Sequence, residues 1–131
     1  MIFKKWRGIF LALSVLWAAG IFWVSSIPAS GLPPNMGLWT NVGHFSEYLV
    51  FAVLIALTLR KQDRAIWKTA LFAVIIASLY GASDEFHQWF VEGRYTDVLD
   101  WLTDTAGAVV GAVIVILAIH AHNQSAKNLP R

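Results

Sequence analysis

Glu47, Asp84, Glu85, Glu92, Asp97, Asp100 and Asp104 are seven of this chain's eight acidic residues, and they fall in two segments that hold one base, Arg94. His44 and His87 lie in the same segments. Asp97, Asp100 and Asp104 recur at intervals of three and four, which is one stripe of a helix. Asp84, His87 and Gln88 share such a stripe, as do His44, Glu47, Tyr48 and Phe51. Carboxylates beside imidazoles suit general acid–base work, with Glu85 or Asp100 as base and His44 or His87 as partner. The same groups are mixed nitrogen and oxygen donors for a divalent metal, the candidates being His44, Asp84, His87, Asp100 and Asp104. No convincing nucleophile accompanies them. Ser26 and Ser83 are near enough to consider, but serine at a helix end commonly bonds backbone.

Seven carboxylates around one guanidinium repel one another unless some stay protonated or hydrogen-bonded, or a cation joins them. The expectation is protonated or hydrogen-bonded acids and no cofactor, with a divalent metal as the alternative. Glu92 and Asp97 read as solvated. Arg94 invites two readings. Paired with Glu85, Asp97 or Asp100 it would clamp the loop against the helix mouths, since a guanidinium fork suits carboxylate geometry; alternatively it receives an anionic ligand group. Gly93 reads as a turn residue.

The elements that position these groups are membrane spans. The chain has 131 residues, 57% of them apolar and only 14% charged, against about 25% charged in soluble domains. Mean hydropathy is +0.58. With no cysteine, disulfides, thiolate metal sites and catalytic thiols are excluded. The pI near 9.2 does not indicate nucleic-acid binding, because the bases are dispersed at helix ends. The apolar runs predict an all-α integral membrane bundle of four transmembrane helices, over about 8–27, 41–59, 66–87 and 98–119, followed by a frayed polar tail over 120–131. The whole chain, 1–131, is one domain. The first run is longer than a signal peptide's apolar stretch and reads as a span.

Lys and Arg divide nine to one between alternate connections. By the positive-inside rule both termini are expected in the cytoplasm, making this a multi-pass inner (cytoplasmic) membrane protein whose acidic segments face outward. Trp39 and Trp89 suit the outer interface, Trp6 and Trp67 the inner one. Only 15 uncharged residues, Thr69 to Ser83, separate Lys68 from Asp84, and Thr105 to Ile119 are again 15. Each run covers roughly 22 Å of a ~30 Å core. Asp84 and Asp104 should therefore lie at or below the outer boundary and face the bundle interior, because lipid would leave them unpaired. Gly107 and Gly111, with Ala108 and Ala112, permit close helix contact either within the chain or across a homodimer.

The run Tyr80-Gly81-Ala82-Ser83-Asp84-Glu85-Phe86-His87-Gln88, with Phe90-Val91-Glu92-Gly93-Arg94, Asp97, Asp100, Asp104 and Gly107, resembles the VanZ-like membrane protein family. So do Ser26-x-Pro28 and Gly43-His44-Phe45-x-x-Tyr48. The resemblance covers about Ser26 to Gly111. It implies a small bacterial membrane protein, in a family whose founding member is linked to low-level teicoplanin (glycopeptide) resistance. It carries the family's motif positions onto Ser26, Pro28, His44, Tyr48, Glu85, Gln88, Gly93, Arg94, Asp97, Asp100 and Gly107. Relatives usually place an Asp-Lys pair before the histidine, where this chain has Thr40-Asn41, and Asn is common where Asp104 stands.

Taken together, residues and resemblance point to a polar cavity that opens outward and binds an amphiphilic or lipid-linked cell-envelope ligand. Membrane lipids and that ligand are the expected partners. Arg94 and Gln88 would contact it, Glu85, Asp97 and Asp100 would position Arg94, and His44, Tyr48 and Ser26 would complete the site. Two rivals stand beside this: a membrane-embedded hydrolase or transferase using the carboxylates and histidines, and a proton- or cation-coupled carrier. Against the carrier, the acids cluster at one mouth, and the other halves of the spans hold almost no buried charge.

Overall fold

The computed structural model describes residues 2–33, 37–61 and 64–127, and for 2–5 and 37–39 the backbone alone. Side chains of Lys4, Lys5, Trp39, Asp63 and Arg131 lie outside the described residues. Four helices follow in order: α1 (Ile2–Ser25), α2 (Gly37–Leu59), α3 (Ile66–Gln88) and α4 (Val98–Lys127). There is no strand among the described residues, and all four helices are long and apolar enough to cross a membrane.

Boundaries shift from the expected ones in physically legible ways. The first helix ends at Ser25, where Ser26 and Ile27 turn the chain and Pro28 leads into a short 3-10 turn, Ala29–Gly31. The tail is not frayed at residue 120: α4 runs on to Lys127, because no Gly or Pro interrupts Ile119 to Lys127. At 30 residues α4 is about 45 Å long, well beyond a ~30 Å hydrocarbon core. His120 and His122 lie exposed on this extension.

Small residues set the packing. Ala52, Ala56, Ala73, Ala77, Ala108 and Ala112 are almost wholly buried, so backbones approach closely where lipid offers no competing hydrophobic drive. A Cβ on Gly107 would collide with the carbonyl of Phe45, and one on Gly111 with that of Leu49. This stripe therefore packs α4 onto α2 within the chain, and the two buried glycines leave no surface there for a second copy. Of the two readings of Gly107 and Gly111, the internal one holds.

α1 packs mainly on α2 and lightly on α3. Arg7 Nε donates to the Thr58 carbonyl (3.0 Å) near the basic end of α2, and Tyr80 Oη donates to the Ala18 carbonyl (2.7 Å) at mid-height. Trp6, Trp67 and Trp89 all stand exposed near helix ends.

Candidate functional site

At the acidic end, α2, α3 and α4 each bring one ionisable group to a common point. His44 and Asp104 meet through Nδ1 and Oδ1 at 3.0 Å, the only ion-pair geometry among the described residues. Asp104 is wholly buried two turns inside α4, and His44 is 9% exposed. The approach is allowed by Gly81, whose missing Cβ would lie 3.1 Å from Asp104 Oδ2. Glu85, 7% exposed, accepts the Asp97 backbone N–H through Oε2 at 2.9 Å. Asp97 in turn accepts the Leu99 N–H at 2.8 Å and so caps α4. Glu85 thus holds the start of α4 from a neighbouring helix.

Asp84 accepts from Gln88 Nε2 at 3.2 Å, the i,i+4 pair expected on that stripe. Asp84, Glu85 and Asp104 are all buried in the bundle, as the inward-facing reading of Asp84 and Asp104 expects. Five buried side-chain oxygens find no partner among the described residues: Thr69 Oγ1 near the start of α3 and, at this end, Tyr48 Oη, Asp84 Oδ1, Glu85 Oε1 and Asp104 Oδ2.

Arg94 does something else than expected. Its Nε donates to the Ile27 carbonyl and its Nη2 to the Val24 carbonyl, each at 3.2 Å. It caps the end of α1, whose last carbonyls have no helical partners, and pairs with none of Glu85, Asp97 or Asp100. The clamp is real, but it grips backbone. The Ala29 N–H to Glu92 carbonyl bond (3.1 Å) ties the same two connections together, and Gly93, at φ +73°, turns the chain between them.

Two hollows adjoin these groups. A polar cavity of about 100 Å³ is walled by Ser25, Thr40, His44, Glu47, Asp84, Gln88 and Arg94, among others. An apolar groove of about 620 Å³ runs between α1 and α2, lined by Leu13, Leu16, Trp17, Gly20, Trp23, Val50 and Leu54. Ile21, Val24 and Glu47 belong to both. Trp17 Nε1 donates to the Glu47 carbonyl at 2.9 Å within the groove.

Of the residues expected to meet a ligand, His44, Gln88 and Arg94 line the cavity. Tyr48 does not: it is wholly buried in the core beside Phe51 and Tyr80. Glu85 is buried but does not line the cavity, Asp100 is half-buried in the first turn of α4, and Asp97 is an exposed cap. Ser26 donates to the Phe22 carbonyl at 2.6 Å, leaving its oxygen to accept from His87 Nε2 at 3.0 Å. His87 is stacked on Phe22. That contact joins α1 to α3, and with its proton engaged Ser26 is not poised as a nucleophile. Ser25 and Ser83 also donate to backbone carbonyls. Glu47, Ser25 and Thr40 are cavity residues missing from the expected ligand set. Glu47 was signalled by its place on the His44 stripe, while Ser25 and Thr40 carried no signal.

Four membrane-spanning helices around a buried carboxylate–histidine centre define a multi-pass membrane protein. The family model described as VanZ/LLP1 matches residues 2–119, and the chain belongs to that family. No curated protein and no solved structure matches it.

Proposed function

We propose that this protein binds an amphiphilic or lipid-linked ligand of the bacterial cell envelope, with the acidic end facing outward. The observation that carries the reading is the shared wall of Ile21, Val24 and Glu47 between a polar cavity and an apolar groove. A molecule with a polar head and an acyl or prenyl tail is the shape that fills both at once. Head-group contacts come from His44, Gln88, Glu47 and Arg94, and tail contacts from Trp17, Trp23 and Leu16. From Leu13 to Val24 the groove runs about 17 Å along α1, close to the ~15 Å depth of one leaflet. Lipid-linked wall precursors and acylated glycopeptides both have this division, which is how a teicoplanin-type resistance role would arise.

Two glycines offer a clean test, because a Cβ on Gly20 or Gly43 meets nothing within 4 Å. Gly20→Phe and Gly43→Leu place bulk at the groove and the cavity from positions where the added Cβ is unobstructed. Native mass spectrometry of protein extracted with its lipids should show a phospholipid or prenyl-linked adduct on the unmodified chain and its loss in both variants. Equal retention by both folded variants would sink the reading.

A further inference from the structure

We infer that His44, Glu85 and Asp104 form a binding site for a divalent first-row metal ion of the zinc or manganese class. One donor atom from each of the three residues lies within 4.8 Å of the other two. The donors come from three different helices, α2, α3 and α4, so their convergence is a property of the fold and not of one helix's spacing. His44 and Asp104 already touch at 3.0 Å. Four ligands around zinc at about 2.1 Å stand about 3.4 Å apart, so small side-chain rotations close the set.

A cluster of acids alone would carry little, and a second observation points the same way. Asp104 Oδ2 and Glu85 Oε1 are buried oxygens with no hydrogen-bond partner among the described residues, in side chains that are 0% and 7% exposed. The other oxygen of each carboxylate is engaged, by His44 and by the Asp97 N–H. Buried carboxylates left half-satisfied cost several kcal/mol by rough reckoning. The nearby base cannot relieve them, since Arg94 points its guanidinium at the α1 carbonyls. A dication beside these two carboxylates supplies the missing positive charge.

The donor set selects the ion class. An imidazole with two carboxylates suits zinc and manganese better than calcium or magnesium, which favour oxygen donors throughout. Three protein donors is also the number zinc uses where a further position stays open to water or to an oxygen anion. Sequence spacing alone does not find this set, because Glu85 is on neither the His44 nor the Asp104 helix.

The site shares only His44 with the cavity wall, so it is tested without any amphiphile. Chelator-stripped protein in detergent is dialysed against Zn²⁺ or Mn²⁺, and bound metal is counted by elemental analysis. One ion per chain is expected. Glu85→Gln keeps an acceptor for the Asp97 N–H but loses the charge, and it should lower affinity by more than the roughly 10–100-fold typical of an outer-shell change. His44→Gln and Asp104→Asn should do the same, and exposed Glu92→Gln should leave binding unchanged. Bound Mn²⁺ should show nitrogen hyperfine coupling that His44→Gln abolishes. Absence of stoichiometric metal in the unmodified chain, or equal binding by cooperatively melting Glu85→Gln, would overturn the assignment.

Discussion

Gly107 of α4 faces the carbonyl of Phe45 in α2 so closely that a single methyl group has no room between them. Phe45, the residue after His44, is thus held against a glycine about one turn from Asp104, so this backbone approach supports the His44–Asp104 contact. Gly107→Ala should cost about 1–3 kcal/mol through overpacking, whereas Gly8→Ala, with nothing within 4 Å of its Cβ, should be neutral or stabilising by up to about 1 kcal/mol from helix propensity. Reversible unfolding in mixed micelles measures both, and equal effects would contradict the seam.

His44 and Asp104 should be strongly coupled in metal-free protein. His44→Leu strands a buried carboxylate and is expected to cost about 3–5 kcal/mol. The double variant His44→Leu, Asp104→Leu should cost less than the two single changes added together, since it removes both polar partners. A double-mutant cycle reads this directly, and strict additivity would mean that the two groups do not interact.

Much of the architecture was legible before any coordinates. Four apolar runs bounded by Lys, Arg and Pro gave four helices because the bilayer length is a hard constraint. The inward orientation of Asp84 and Asp104 followed from the cost of leaving them unpaired in lipid, and burial of the His44–Tyr48–Phe51 face followed from helical spacing. Arg94 was harder. Its partners are backbone carbonyls, which every residue possesses, so no pattern of side-chain types marks Val24 and Ile27 as acceptors. The meeting of Glu85 with His44 and Asp104 was hidden for a related reason: it depends on the rotation of three helices about their axes, set by glycine and alanine contacts across helices. The extension of α4 to Lys127 carries no apolar signal, because its residues are largely polar, yet none of them breaks a helix.

Arg94 offers a prediction about motion. Arg94→Gln removes a charged donor worth about 1.5–3 kcal/mol to each engaged bond, and Arg94→Lys retains at most a point charge in place of the fork. Hydrogen exchange across residues 22–31 should accelerate in the order unmodified, Lys, Gln. Unaltered exchange in Arg94→Gln would show that α1 is held elsewhere.

Orientation is open to direct chemistry because the chain has no cysteine. Thr96→Cys and Ser125→Cys both sit at exposed positions, one in the α3–α4 connection and one on the α4 extension. A membrane-impermeant maleimide added to intact spheroplasts should label Thr96→Cys, and should label Ser125→Cys only after permeabilisation. The opposite pattern would place the acidic end in the cytoplasm and remove the basis for an envelope ligand.

The two arginine caps on α1's neighbourhood have a mechanical meaning. Arg7 ties α1 to the Thr58 carbonyl of α2 at one end, and Arg94 straps its other end through the Ile27 and Val24 carbonyls. Between these ties, Tyr80 grips the Ala18 carbonyl and Trp17 the Glu47 carbonyl, so α1 is braced along its length and the groove beside Gly20 has a wall held at several heights rather than a loose helix.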